Sequence, residues 1–433
     1  MYDSTDKNFQ KNQNLLIYIC VFMYLMMMAS KSIFTAEIVE IIDVFQTTAS
    51  KASLANLYYY ATYAIMQVAL IFFIDKINIK VYLGVTVICS ALISICIGIV
   101  GHLGAEIGFI FVLFTLNGFL QAGIYGCSIK LFNKYLTKEN YYKGLKLVNG
   151  AQIIATVISY GLSSLFVALG RWELPFIIIG ASFLLSSVLF VVNVGKAIKN
   201  INKYKTASED TNKQEKNTTT EKVKCSKITA RYLYVYILVM CIIALLGNSA
   251  HYGINNWFSK LLYDVYNFPK AYSILVSVGI NLVLTAVSIL SIELCSKAKN
   301  YYMFSIAGFV GAICFAIPLA FLYNSGIIVA VILCLLFLLF NRWAKVPYSS
   351  ITAYKLRECL EPGKYSLILN AVASVAAGVA PTILSLMFES FGWGWSFISV
   401  AIMGAVLVCL VLLAVLIDKK LFKNIEKDKN TGE

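Results

Sequence analysis

Apolar residues in this chain come in runs of about twenty, separated by short polar punctuation. Twelve such runs lie at 15–36, 53–74, 81–100, 107–129, 146–169, 174–196, 231–256, 271–292, 301–323, 325–347, 365–388 and 394–417. At 1.5 Å of rise per residue, about twenty residues match the roughly 30 Å hydrocarbon core of a bilayer, so each run predicts a transmembrane helix. The pattern breaks once for longer, over 197–230, where Lys203 to Lys227 is polar and charged and contains Asn217-Thr218-Thr219-Thr220. That composition predicts a flexible linker. The expected fold is an all-α membrane protein: a six-helix bundle over 1–196, a cytoplasmic linker over 197–230, and a second six-helix bundle with a cytoplasmic tail over 231–433.

Composition agrees with this and excludes other classes. The 433 residues are 59% hydrophobic and 13% charged, with mean hydropathy +0.76, against about 45–50% and about 25% in ordinary globular chains. A net charge of +14 would suit nucleic acid if it were spread over one soluble face, but it is not. Of the 36 lysines and arginines, 31 fall in the two tails and in loops on one side, and four (Lys51, Arg171, Lys260, Lys270) fall on the other, with Lys31 inside a span. That asymmetry is the positive-inside bias. It places both tails in the cytoplasm, requires an even number of spans, and makes the lipid bilayer, not nucleic acid, the partner. The first span follows a polar tail and is too long for a signal-peptide core, so it reads as retained. The 11 cysteines form no CxxC pair and sit mostly inside spans, as small packing residues do. No HExxH, phosphate loop or dinucleotide fingerprint is present, and with two histidines neither a metal site nor a catalytic triad can be assembled. No cofactor is implied, and the chain does not read as an enzyme.

The halves echo each other. Lys31 and His251 are 220 apart, Asp75 and Glu293 218, Lys143 and Lys364 221, Asn149 and Asn370 221, and Gly170 and Gly392 222. A charge at membrane depth costs several kcal/mol even by the lower estimates (about 2.5–3.5), so the basic residues Lys31 and His251 at matching places are the first candidates for a binding site, and an anion is what they would bind. Lys31 lies about 24 Å along span one, so it could also reach the external surface or pair with Glu37. His251 could also be a neutral, hydrogen-bonded core histidine. Glu37 and Glu40, at the outer end of span one, could relay protons as carboxylates at membrane depth do but read best as an exposed loop, and His102 as a bystander in an external loop. Asn117 and Gln121 are four apart and share one face of span four, which is expected to point inward. Arg342 falls on Gln121 at the repeat offset of 221, and Lys345 shares its face. These two either join the cavity or snorkel to the cytoplasmic headgroups. Gln152, Asn149 and Asn370 either line the cavity or join helices. The run Tyr58-Tyr59-Tyr60 and the pair Trp393 and Trp395 fit an interfacial aromatic belt.

These residues carry a family resemblance. Span four has Asn117-Gly118, Gln121, Gly123 and a basic exit at Lys130 and Lys134. Span one has Lys31-Ser32-Ile33-Phe34, span five has Asn149 and Gln152, span seven has His251-Tyr252-Gly253 followed by Trp257, and Gly392 and Trp395 precede the last span. In this the chain resembles the organophosphate:phosphate antiporters, the glycerol-phosphate and hexose-phosphate carriers of the major facilitator superfamily. Their motifs are NGxxQGxG, Arg-Lys-Asn-Phe, Trp-Asn-x-x-His, Arg-Tyr-Gly-x-x-x-Trp and Gly-x-x-Trp. The two family arginines that grip phosphate are Lys31 and His251 here, the family histidine is Gln152, and one family glycine is Ala122. Lysine and histidine lack the bidentate guanidinium fork, so a carboxylate competes with a phosphate as the anionic group.

The resemblance implies a transporter that works by alternating access about a midplane site between parallel repeats. Lys31 and His251 would hold the anion from the two halves, with Arg342 and Lys345 as further basic contacts. Gln121, Gln152, Asn117, Tyr252 and Trp257 would complete the site, and Asp75 and Glu293 would be remnants of the gating loops. The expected partner is a small anionic metabolite, with a proton (through His251) or inorganic phosphate as coupling ion. The expected setting is a monomer in a bacterial inner membrane. Two alternatives stand beside this: a non-transporting sugar-phosphate sensor of the same fold, and an exporter of neutral or amphipathic compounds.

Overall fold

A computed structural model describes residues 7–73, 76–209, 226–296, 301–348, 352, 356 and 362–431. The described chain is helical throughout. Its elements are α1 (Lys7–Ala36), α2 (Ile38–Val44), α3 (Ala49–Phe73), α4 (Ile79–His102), α5 (Ile107–Gln121), α6 (Ile124–Tyr135), α7 (Lys138–Ala168), α8 (Leu174–Glu209), α9 (Lys227–Tyr266), α10 (Lys270–Ser296), α11 (Tyr302–Leu322), α12 (Ile327–Val346), α13 (Pro362–Phe391) and α14 (Trp393–Thr431).

Among the described residues, eleven helical segments are long and apolar enough to cross a membrane. The expected span at 53–74 is the exception. It is a helix, α3, whose 25 residues are long enough to cross, but Asn56, Tyr58, Tyr59, Tyr60, Tyr63 and Gln67 dilute its apolarity. Span four is divided into α5 and α6 by a turn at Ala122-Gly123. The expected linker is shorter than the polar composition suggests. α8 continues as helix to Glu209, and α9 begins at Lys227 behind Ser226, whose side chain accepts a hydrogen bond from the Thr229 backbone N–H.

The chain divides into two units: Met1–Thr47 with Tyr58–Asn217, and Thr48–Leu57 with Thr218–Glu433. The opening turns of α3 thus group with the second unit, where Ser53 Oγ lies 3.2 Å from Ser385 Oγ and the Ser50 backbone N–H donates to Glu389 at 3.0 Å. Within the first unit α1 packs on α7 and α8, and α4 on α5 and α8. Within the second, α9 packs on α13 and α14, and α11 on α12 and α14. These four pairs correspond between the units, so the repeat in the sequence is also a repeat in this part of the packing. The landmark glycines correspond as well. Gly170 (φ 67°) ends α7 ahead of α8, and Gly392 (φ 84°) joins α13 to α14, both in the left-handed region that glycine enters without steric cost.

α5 shows how composition sorts the faces. Phe109, Val112, Leu116 and Phe119 are exposed, as a lipid-facing stripe should be, while Ile110, Phe114, Asn117, Gly118 and Gln121 are buried. Gly118 permits close approach to α3, since a Cβ there would run into the Tyr59 carbonyl. Gly126, by contrast, faces open space. Gly118→Ala is therefore expected to destabilise the detergent-solubilised protein by about 1–3 kcal/mol, the cost of overpacking. Gly126→Ala is expected to leave the unfolding midpoint unchanged or slightly raised. Thermal unfolding of the two variants checks this.

Candidate functional site

In the first unit Lys31 sits on α1 within a shell of aromatic rings. Its Nζ lies 4.6 Å from the centroid of Tyr60, 5.0 Å from Tyr63 and 5.9 Å from Tyr59. An ammonium over an aromatic face gains about 0.5–2 kcal/mol, more as it is desolvated, so the rings stand in for water that the interior lacks. Tyr59 and Tyr60, expected at the interfacial belt, instead serve this shell, and Tyr59 is fully buried. Among the described residues Lys31 makes no ion pair, with Glu37 or any other carboxylate.

A closed polar network stands behind the shell. The Tyr59 hydroxyl donates to Gln121 Oε1 at 2.6 Å, and Gln121 Nε2 donates to Ser90 Oγ at 2.9 Å and Asn117 Oδ1 at 3.0 Å. Asn117 Nδ2 reaches Ser94 Oγ at 3.3 Å, and Ser30 Oγ lies 2.7 Å from Ser94 Oγ. Asn117 and Gln121 do face inward, as expected, but both are buried with their amides engaged. They hold α1, α3, α4 and α5 together, and through Tyr59 they position the rings around Lys31. Gln152 is exposed on α7 and joins no part of this cluster.

The second unit gathers several basic side chains. His251 on α9 is 8% exposed, its ring packs edge-on against Tyr252 at 5.4 Å, and its Nδ1 has no hydrogen-bond partner among the described residues. Arg342 and Lys345 on α12 both act electrostatically on His251, and Arg342 also acts on Tyr252 and Tyr348. Arg342 Nε donates to Ser288 Oγ on α10 at 2.8 Å, and Lys345 Nζ donates to Asn248 Oδ1 on α9 at 2.9 Å. Both therefore turn into the unit rather than to headgroups. A cavity of about 190 Å³ is lined by Lys345 together with Asn248, Tyr348 and Asn370. Among the described residues neither Arg342 nor His251 has a carboxylate partner.

Trp257 is fully buried, donates Nε1–H to the Pro381 carbonyl at 2.7 Å and packs edge-on against Phe388. It therefore braces α9 on α13. Trp393 stacks on Phe388 at 4.1 Å, while Trp395 is exposed. Asp75 lies outside the described residues, and Glu293 sits near the C-terminal end of α10. Asn248 and Tyr348 were not anticipated. Asn248 lies one helical turn before His251, and that spacing was the available signal.

The acidic residues near the outer end of span one also differ from expectation. Glu37 is not in an exposed loop. It is fully buried at the bend between α1 and α2, with neither carboxylate oxygen hydrogen-bonded. His102, expected to be a bystander, lies with Nδ1 3.2 Å from Glu173 Oε1, which also accepts from Arg171 Nε at 2.7 Å.

The sequence matches the Major Facilitator Superfamily over residues 19–357, most of the chain. This protein belongs to that superfamily of membrane transporters. Two solved structures of a bacterial homologue of the human lysosomal transporter Spinster share its fold. The inward-facing, unoccupied form has a TM-score of 0.71 at 13% identity, and the inward-facing, occupied form 0.67 at 14%, each covering 96% of this chain and 98% of the other. No curated protein sequence matches this one.

Burial alone would raise the Glu173 carboxyl, but the Arg171 and His102 hydrogen bonds outweigh it and hold the group below its ordinary value. The stability this contributes is complete above the unfolded carboxyl's value, about 4.3, and is lost as pH falls through the lower folded value. Unfolding midpoints measured against pH should therefore decline in that acid window for the native protein. The decline should be shallower for Glu173→Gln.

Proposed function

We propose that this protein is a secondary transporter of a small anionic metabolite, in which Lys31 of the first unit and His251, Arg342 and Lys345 of the second provide the attraction. The observation that carries this reading is the second-unit cluster of His251, Arg342 and Lys345, of which Lys345 lines a cavity together with the amides of Asn248 and Asn370. The Lys31 ammonium, held by rings rather than by a carboxylate, supports it from the other repeat.

The chemistry favours a phosphate ester or a carboxylate. Each is compact, charged and able to accept several N–H bonds, and a charge-assisted bond is about twice as strong as a neutral one. The resemblance to the organophosphate:phosphate antiporters in Asn117-Gly118, Gln121 and His251-Tyr252-Gly253 favours the phosphate ester. In this reading Tyr252 and Gln152 contact the remainder of the substrate, and Asn117, Gln121 and Trp257 act by positioning. Asp75 and Glu293 belong to the gating loops. Alternating access follows the superfamily: two repeats rock about a midplane site, and a substrate lowers the barrier to switching by the free energy with which it prefers the occluded state. The lysine and arginine asymmetry supports both tails in the cytoplasm of a bacterial inner membrane.

Purified protein in liposomes preloaded with glycerol 3-phosphate, inorganic phosphate or a small dicarboxylate is expected to exchange at least one of them. Removing one side of a buried charge contact costs at least about 2 kcal/mol. Lys31→Met and Arg342→Gln should therefore each weaken apparent affinity by roughly 30-fold or more. Anion binding without exchange would indicate a sensor. Transport of a neutral compound that both variants leave intact would indicate an exporter.

A further inference from the structure

Glu37 is the buried ionisable group that anion binding leaves unexplained. It sits where α1 ends at Ala36 and α2 begins at Ile38, and its exposure is 0%. Among the described residues neither carboxylate oxygen has a partner within hydrogen-bond geometry, and the same holds for the buried Ser163 Oγ on α7, the hydroxyl that faces it. An ionised carboxylate in such a place, with a single serine hydroxyl facing it and no ion-paired cation among the described residues, would be costly. A neutral acid fits, because its O–H can turn to Ser163.

The surrounding charges push the same way. On α2, Glu40 acts on Glu37 with like charge, and so does Glu173 from the turn ahead of α8. Arg171 and His102 are committed to Glu173. Lys31 lies six residues back along α1, within its tyrosine shell. Among the described residues no cation is in an ion pair with Glu37. Burial and the two neighbouring carboxylates hold its carboxyl well above the ordinary range. Glu173 is itself 4% exposed, while the His102 and Arg171 side chains that bond it are 59% and 49% exposed. Glu173, His102 and Arg171 thus form a polar edge between bulk water and the buried acid, and this edge is where a proton can enter.

We propose that Glu37 is a proton-binding site and that its proton is the ion coupled to solute movement. A Glu37 carboxylate oxygen accepts H⁺ from water at the His102–Glu173 edge and becomes a neutral acid that closes onto Ser163. When water reaches the seam between α1 and α7, the O–H bond breaks, H⁺ returns to water and the carboxylate is restored. The coupling half of this proposal rests on the anion-transporter reading above, but the proton site itself does not.

Two measurements on the full-length protein separate these halves. The first is infrared difference spectroscopy in detergent at neutral pH. The wild type should show the C=O stretch of a protonated, buried carboxylic acid. Glu37→Gln, which mimics the neutral acid in shape and should fold, should lack that band, and Glu37→Asp should retain it. A band of equal size in wild type and Glu37→Gln overturns the site. The second uses liposomes with a trapped pH dye and inorganic phosphate or glycerol 3-phosphate as probe. Exchange of labelled for unlabelled probe should persist in Glu37→Gln, while accumulation driven by a pH gradient falls to the level seen without a gradient. Gradient-driven accumulation at the wild-type level in Glu37→Gln overturns the coupling. If the wild type moves no anion at all, the transporter reading fails, and the infrared result still decides whether Glu37 binds the proton.

Discussion

A cation inside an apolar bundle must be given something to replace water, and the two repeats solve this differently. The first surrounds Lys31 with tyrosine rings, whose faces carry negative potential without carrying charge. The second ties Arg342 to a serine hydroxyl and Lys345 to an amide oxygen. Among the described residues neither Lys31 nor Arg342 is in an ion pair. A carboxylate partner would have been the more economical choice for stability alone, because breaking into a buried cationic site is costly and pairing would quiet it.

The repeat architecture makes the contrast informative. Gln121 and Arg342 are equivalent by sequence offset. Gln121 closes a serine and asparagine network that joins α1, α3, α4 and α5, whereas Arg342 donates to Ser288 on α10 and acts electrostatically on His251. One copy of the position joins helices through amide hydrogen bonds and the other carries a charge. The corresponding helix pairings in the two units allow such divergence, since the scaffold does not depend on which role the position takes.

The fold was legible because lipid imposes so few solutions. Runs of about twenty apolar residues sufficed to read an all-helical membrane bundle of the major facilitator fold. What escaped was set by contacts between helices. Tyr59 and Tyr60 were indistinguishable from belt residues until α3 was seen packed beside α1. Glu37 looked exposed because the end of an apolar run usually is, but α2 prolongs the helical path and buries it. Asn117 and Gln121 point inward, as their spacing implied, but sequence could not tell an inward amide that is free from one whose hydrogen bonds are already used. The span at 53–74 shows the same limit from the other side: the tyrosines that weaken its apolar signal are the ones that hold Lys31.

The most direct test of the account is whether an anion binds where the positive charge was left open. Ligands that bind the native form raise its unfolding midpoint by mass action. Detergent-solubilised wild type should therefore be stabilised by at least one of inorganic phosphate, phosphorylated sugars or small carboxylates, and not by the matching neutral sugar. A protein carrying both Lys31→Met and Arg342→Gln should show no such shift. Stabilisation of equal size in the double variant, or by the neutral sugar alone, would contradict the account.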